Sequence, residues 1–234
     1  MHAINHKKDS RGFSLIELVI AMAVTLVVMS MATTLIASAL RIRSRENQKS
    51  DALADAQRAI NIMSREIANA GLNLKENGIV ATDSGRNRIR VRSNLNKYDL
   101  SLPPGDPSRM LVTDPEEDVT YFINVAPEDK TQYLARHDEF YPGPGKPDTV
   151  LANRLDTFNI YYFDQRVSYT TAPNGQDIVP SAAEVAPNLA KYIVIAVSVT
   201  LNEQGTKGSA GYQPQWTVLL SSDVALRNAN LTNY

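Results

Sequence analysis

The residues able to do chemistry in this chain are few, and their spacing limits what they can do. There is no cysteine among the 234 residues, which excludes disulfides, thiolate nucleophiles and Cys-based zinc sites. Of the three histidines, His2 and His6 lie at the start, which leaves His137 as the one imidazole further along. A base needs a nucleophile beside it, and no Ser, His and Asp grouping is evident. No catalytic residue, metal ligand or cofactor is assigned, and the expectation is a protein that is not an enzyme. The acidic run Asp114, Glu116, Glu117 and Asp118 lacks the alternating ligands and turn glycine of a calcium loop, and reads as a solvated turn before a strand. The run Gly143-Pro144-Gly145-Lys146 lacks the spacing and the trailing Ser or Thr of a phosphate loop.

Two patterns carry more. Arg86, Arg88, Arg90 and Arg92 alternate with Asn87, Ile89 and Val91, and on a strand this places all four guanidinium groups on one side. One reading is an anion-facing stripe for nucleic acid or an acidic partner subunit. The plainer one, favoured because no aromatic residues are interleaved, is an edge strand charged against aggregation. The overall balance of 24 basic to 25 acidic residues adds no general pull toward nucleic acid. The second pattern is Glu17, a lone carboxylate between Ile16 and Leu18 at the start of a long apolar run. Near mid-bilayer such a charge costs about 2.5 to 3.5 kcal/mol, so it needs a partner. Cutting the chain before Phe13 would supply one. The new α-ammonium would lie four residues from Glu17, on the same helix face and at the helix end whose dipole favours an anion.

The element that must carry Glu17 is a helix. Leu18 to Leu40 is 23 residues without a charge, and about 20 suffice to cross the hydrocarbon core. No Gly or Pro occurs from Phe13 to Ala70, so nothing forces a kink over 58 residues. At about 1.5 Å per residue these make a rod of roughly 87 Å. Two rivals fit the apolar run less well. One is a plain single-span anchor. The other is a secretory signal peptide ending at the small-x-small triplet Ala37-Ser38-Ala39, but the run exceeds the usual apolar region of about 7 to 15 residues. Lys7, Lys8 and Arg11 before the span nearly balance Arg41, Arg43, Arg45 and Lys49 after it, so charge does not set its orientation.

The residues Gly12-Phe13-Ser14-Leu15-Ile16-Glu17-Leu18, with Lys7, Lys8 and Arg11 in front, resemble the prepilin cleavage and methylation signature of type IV pilins and type II secretion pseudopilins. The resemblance implies cleavage after Gly12 and N-methylation of Phe13 by a prepilin peptidase. It also implies that Glu17 neutralises the N-terminus of a neighbouring subunit in a bundle of apolar helices. The stretch Gln57 to Gly71 and the closing Val224-Ala225-Leu226-Arg227-Asn228 resemble minor pilins of the PilW type, with J-type minor pseudopilins second. The role implied is to initiate or cap a filament. The partners implied are major and minor pilins, the inner-membrane assembly platform, and membrane lipid before assembly. The location implied is a single pass through the inner membrane with the head outside the cytoplasm, then an extracellular or periplasmic filament. A rival of another class is a membrane-anchored binding protein whose head does the work.

The expected organisation is a leader over 1–12, a transmembrane and assembly helix over 13–40, an amphipathic extension over 41–70 and a β-rich head over 71–234. Leu53, Ala56, Ile60, Met63, Ile67 and Ala70 recur at spacings of three and four, with Arg58, Arg65 and Glu66 off the stripe and Gly71 placed to end the helix. Strands are expected at 119–124, 132–136, 157–163, 192–201 and 215–221, where β-branched and aromatic residues concentrate. In the 192–201 strand, Ile193, Ile195, Val197, Val199 and Leu201 share one face. The fold expected is α+β and type IV pilin-like, with the stripe packed on an antiparallel sheet.

Overall fold

The computed structural model describes residues 14–95, 103, 112–128, 131–141, 143, 148–209 and 211–229. A single helix, α1, runs from Leu15 to Ala68 over 54 residues. Its uninterrupted length follows from the absence of Gly and Pro, since every residue keeps its backbone donor and none adds excess chain freedom. Gly71 sits just beyond the helix at φ +76, where any Cβ would come within 2.6 Å of the Glu76 carbonyl oxygen. Glu66 O and Ile67 O accept from the N–H groups of Asn69 and Ala70, and the next carbonyls are met by residues 227 and 228. The Arg227 N–H donates to Ala68 O at 3.1 Å, and Asn228 Nδ2 donates to Asn69 O at 3.3 Å and Ala70 O at 3.1 Å.

The chain divides into two units, and the division falls within α1. The first comprises the helix as far as Glu46 with the loop Gly205–Gln213. Its apolar side chains are exposed on every side, from Leu15 through Leu26 and Met31 to Leu40. The hydroxyls of Thr25, Thr33 and Thr34 donate back to the carbonyls of Ala21, Met29 and Met31 at 2.7, 3.0 and 2.8 Å. The helix thus meets its own polar demands, as a segment in lipid must. It is long and apolar enough to cross a membrane.

The second unit is α+β and holds the core. β1 (Arg88–Arg92), β2 (Asp118–Val125), β3 (Gln132–Asp138) and β4 (Thr149–Asn153) form an antiparallel sheet in that order. β5 (Thr157–Phe163), β8 (Tyr192–Leu201) and β9 (Trp216–Ala225) form a second, also antiparallel, with β8 central. β6 (Tyr169–Thr171) and β7 (Ile178–Pro180) pair as a hairpin. The stripe of α1 lies in one core with Ile89, Val91, Tyr121 and Leu134 of the first sheet and Phe158, Ile160, Ile193 and Ile195 of the second.

Three expectations need correction. There are separate sheets where one was expected. Leu53 is 37% exposed, and Ala52, one position earlier on the helix, turns inward in its place. In addition, β8 is buried on both faces, because Val194 and Ala196 pack with Tyr161, Phe163, Val167 and Ile178 in a second cluster. The acidic run does turn before the strand and Glu116 is exposed, but it is not solvated throughout, since Glu117 and Asp118 are both buried. The Glu117 carboxylate accepts hydrogen bonds from the backbone N–H groups of Leu95, Thr113 and Asp114 at 2.7, 3.0 and 3.1 Å. Acidic side chains beside a strand here serve as acceptors for loop backbone that would otherwise lack partners.

Candidate functional site

Gly12 and Phe13, the cleavage and methylation positions read from the sequence, lie outside the described residues. The description begins at Ser14, whose N–H donates to Glu17 Oε2 at 3.0 Å, while the Leu18 N–H donates to Ser14 O at 3.1 Å. Ser14 therefore stands immediately before the first helical residue and Glu17 is the third residue within it. That is the carboxylate half of a capping box, in which Glu satisfies a backbone donor with no partner inside the helix. The S-x-x-E spacing was the signal for it, and the sequence reading passed over it. Glu17 is exposed, at the helix end where the dipole favours an anion. The arrangement leaves it able to accept further donors, of which an ammonium is the strongest.

The arginine pattern is built differently. Arg88, Arg90 and Arg92 alternate along β1 with the buried Ile89 and Val91, and Arg86 precedes the strand. Arg90 grips Asp118 with Nε on Oδ1 at 2.7 Å and Nη2 on Oδ2 at 2.9 Å, and reaches Asp83 with Nη1 at 2.6 Å. Arg92 Nε meets the same Asp118 at 2.7 Å. Burial pushes the Asp118 carboxyl up, but hydrogen bonds from Arg90 and Arg92 outweigh it and hold the group below its ordinary value. Arg86 pairs with Glu184 at 2.7 Å and lies over the Tyr161 ring at 3.9 Å, while Arg88 stands over Phe122 at 5.7 Å. The carboxylates of Asp83, Asp118 and Glu184 thus absorb most of the stripe's charge. The outer side of β1 is also covered, as the Val80 N–H donates to Arg90 O at 3.0 Å and the Arg92 N–H to Gly78 O at 2.7 Å. β1 is not a bare edge.

Residues 7–33 match the family model for the prokaryotic N-terminal methylation motif. This is the N-methylation motif of type IV pilin-like precursors. The matched span takes in Gly12, Phe13 and Glu17 and ends inside the apolar run, so it leaves out Gln57 to Gly71 and the closing segment on which the PilW likeness rests. No curated protein and no solved structure matches the chain.

Two polar clusters of the second unit escaped the sequence. Glu66, placed off the helical stripe, accepts the hydroxyl of the buried Tyr121 and Arg136 Nε, the latter at 3.1 Å. Burial, reinforced by Glu66, pushes the Tyr121 hydroxyl well above its usual value, so the ring stays neutral and donates. His137 Nδ1 lies 2.8 Å from Asp148 Oδ1, with Glu139 at 3.7 Å from Nε2. The first cluster joins residues 55 and 70 positions apart and leaves no spacing signal, whereas His137, Glu139 and Asp148 lie within one strand and the chain just after it. Among the described residues no group of three or more His, Cys, Asp or Glu could hold a metal ion.

Proposed function

We propose that the chain is the precursor of a structural minor pilin of the PilW type, which joins other pilins to initiate or cap a type IV pilus. In this reading a prepilin peptidase cuts after Gly12 and methylates Phe13, and the assembly platform then lifts the subunit from the inner membrane, with its head outside the cytoplasm. The observation that carries the reading is Glu17: a lone exposed carboxylate in the first turn of a helix whose next 23 residues are uncharged and whose apolar surface is unburied. A carboxylate there suits an ammonium arriving from a neighbouring helix. The exposed apolar side chains suit lipid first and other helices afterwards.

The test is N-terminal sequencing of the protein from membranes of cells with and without prepilin peptidase. The expected result is a methylated Phe13 that appears only with the peptidase. A chain starting at Met1 would leave a plain anchored protein, and one starting at Leu40 a secreted one; either overturns the proposal.

A further inference from the structure

The triplet Ala37-Ser38-Ala39, which has the form of a signal peptidase site, has a different use in the first unit. From residue 14 to residue 44, Ser38 alone is not fully exposed. What covers it is the loop between β8 and β9. Gly211, at φ +83, approaches so closely that a Cβ there would lie 2.7 Å from Ser38 Oγ and 3.5 Å from Ser38 Cα. The positive φ favours glycine at 211, and a Cβ there would crowd the Ser38 hydroxyl, so small residues on both sides suit the approach. The loop is polar and partly folded on itself. The Ser209 N–H and Oγ both donate to Thr206 O, at 2.9 and 2.6 Å, and the Tyr212 N–H donates to Ser209 O at 3.1 Å, while Lys207 is exposed.

An exposed irregular backbone of this kind cannot lie against hydrocarbon. If α1 spans a bilayer, on which this inference rests, the hydrocarbon must therefore end before Ser38. The uncharged run then shortens to Leu18–Ala37, 20 residues or about 30 Å, which matches the usual core thickness. Immediately beyond come Arg41 and Arg43, both exposed, and on the loop Lys207. Long cationic side chains at that depth reach lipid phosphates while their stems stay in the interface. We propose that the loop seated on Ser38 marks the boundary of the bilayer distal to Glu17, and that Lys207, Arg41 and Arg43 form a cationic collar on the lipid phosphates there.

The test uses the full chain in vesicles of phosphatidylcholine and phosphatidylglycerol, with single spin labels introduced by Leu26→Cys, Lys207→Cys and Asn174→Cys into a chain that has no other cysteine. Labels are ranked by collisions with oxygen and with a water-soluble nickel chelate. The label at 26 should favour oxygen strongly, the one at 207 should sit at the phosphate level, and the one at 174 should behave as in free solution. A label at 26 open to the chelate sinks the membrane-span reading itself. A label at 26 in hydrocarbon, with the one at 207 as open to the chelate as that at 174, overturns the collar alone. A Ser38→Cys, Gly211→Cys pair should also close readily, because the distance of 3.5 Å from a Cβ at 211 to Ser38 Cβ suits the about 3.5 to 4.5 Å of a disulfide. Cysteine at 211 is strained by its positive φ, so Ser38→Leu provides a second route. It should expel the loop and raise chelate access at 207 severalfold, and unchanged access would overturn the seat.

Discussion

The two halves of α1 have the same backbone and opposite surroundings. Up to Glu46 the helix is exposed on almost every side, and the charge in its first turn, Glu17, accepts the Ser14 N–H. From Ala52 to Ala68 a stripe of the same helix is enclosed by two sheets, and even Glu66 beside that stripe turns toward Tyr121 and Arg136. In the first half the apolar side chains are exposed, and on the proposed function substitutions there should act on assembly. In the second half the contacts are already made, and substitutions should act on stability.

The largest effect that would break this contrast lies at Glu17. Glu17→Ala should abolish incorporation into filaments, read by their absence in sheared fractions, while the urea midpoint of the second unit stays where it was. If filaments form normally, the carboxylate is only a helix cap, worth about 1 kcal/mol. Next comes Asp118→Ala, which strips Arg90 and Arg92 of their shared acceptor. It should cost about 3 kcal/mol in denaturant unfolding, the low end for a buried pair because both arginines keep some access to water. The same group gives a pH signature. Its folded pKa lies below the ordinary 3.8, so its contribution is complete above that value and is lost as the pH falls through the lower folded value. As the pH falls below the ordinary carboxylate range, the wild type should lose more stability than Asp118→Asn, measured by urea titration at each pH.

Ile60→Ala should cost about 2 to 4 kcal/mol in the same assay, since Ile60 is buried beneath both sheets. Leu53→Ala, seven residues earlier on the expected stripe, should cost less than about 0.5 kcal/mol. Equal effects would mean that the stripe runs as the sequence spacing suggests. Smallest of the intended disruptions, Tyr121→Phe should cost about 1 to 2 kcal/mol by removing the donor to Glu66 while Arg136 remains.

What could be read from the sequence was what repeats locally. The three-and-four spacing from Ala56 to Ala70 announced the buried face, and the branched run Tyr192–Leu201 was found with its boundaries intact. The motif at Gly12 to Leu18 was legible because its residue types sit at fixed short intervals. Leu53 was misplaced because successive helical residues are separated by only about 100°, so Ala52 and Leu53 compete for the edge of one stripe. The division into separate sheets was invisible, since pairing partners such as Val91 and Val119 are set by chain return rather than by local pattern. β6 and β7, three residues each, are too short to carry a period. The arginines alternated as expected, but their carboxylate partners come from Asp83, Asp118 and Glu184, and only the folded chain brings those together.

The bonds from Arg227 and Asn228 to the carbonyls of Ala68, Asn69 and Ala70 have a mechanical consequence. On the proposed function, a subunit anchored through α1 would take tension at that helix. Here the strain passes directly from the end of the helix into the segment after β9, and through β9 into the central strand β8. Tension at the helix end would therefore be shared between these three hydrogen bonds and the covalent chain through Gly71.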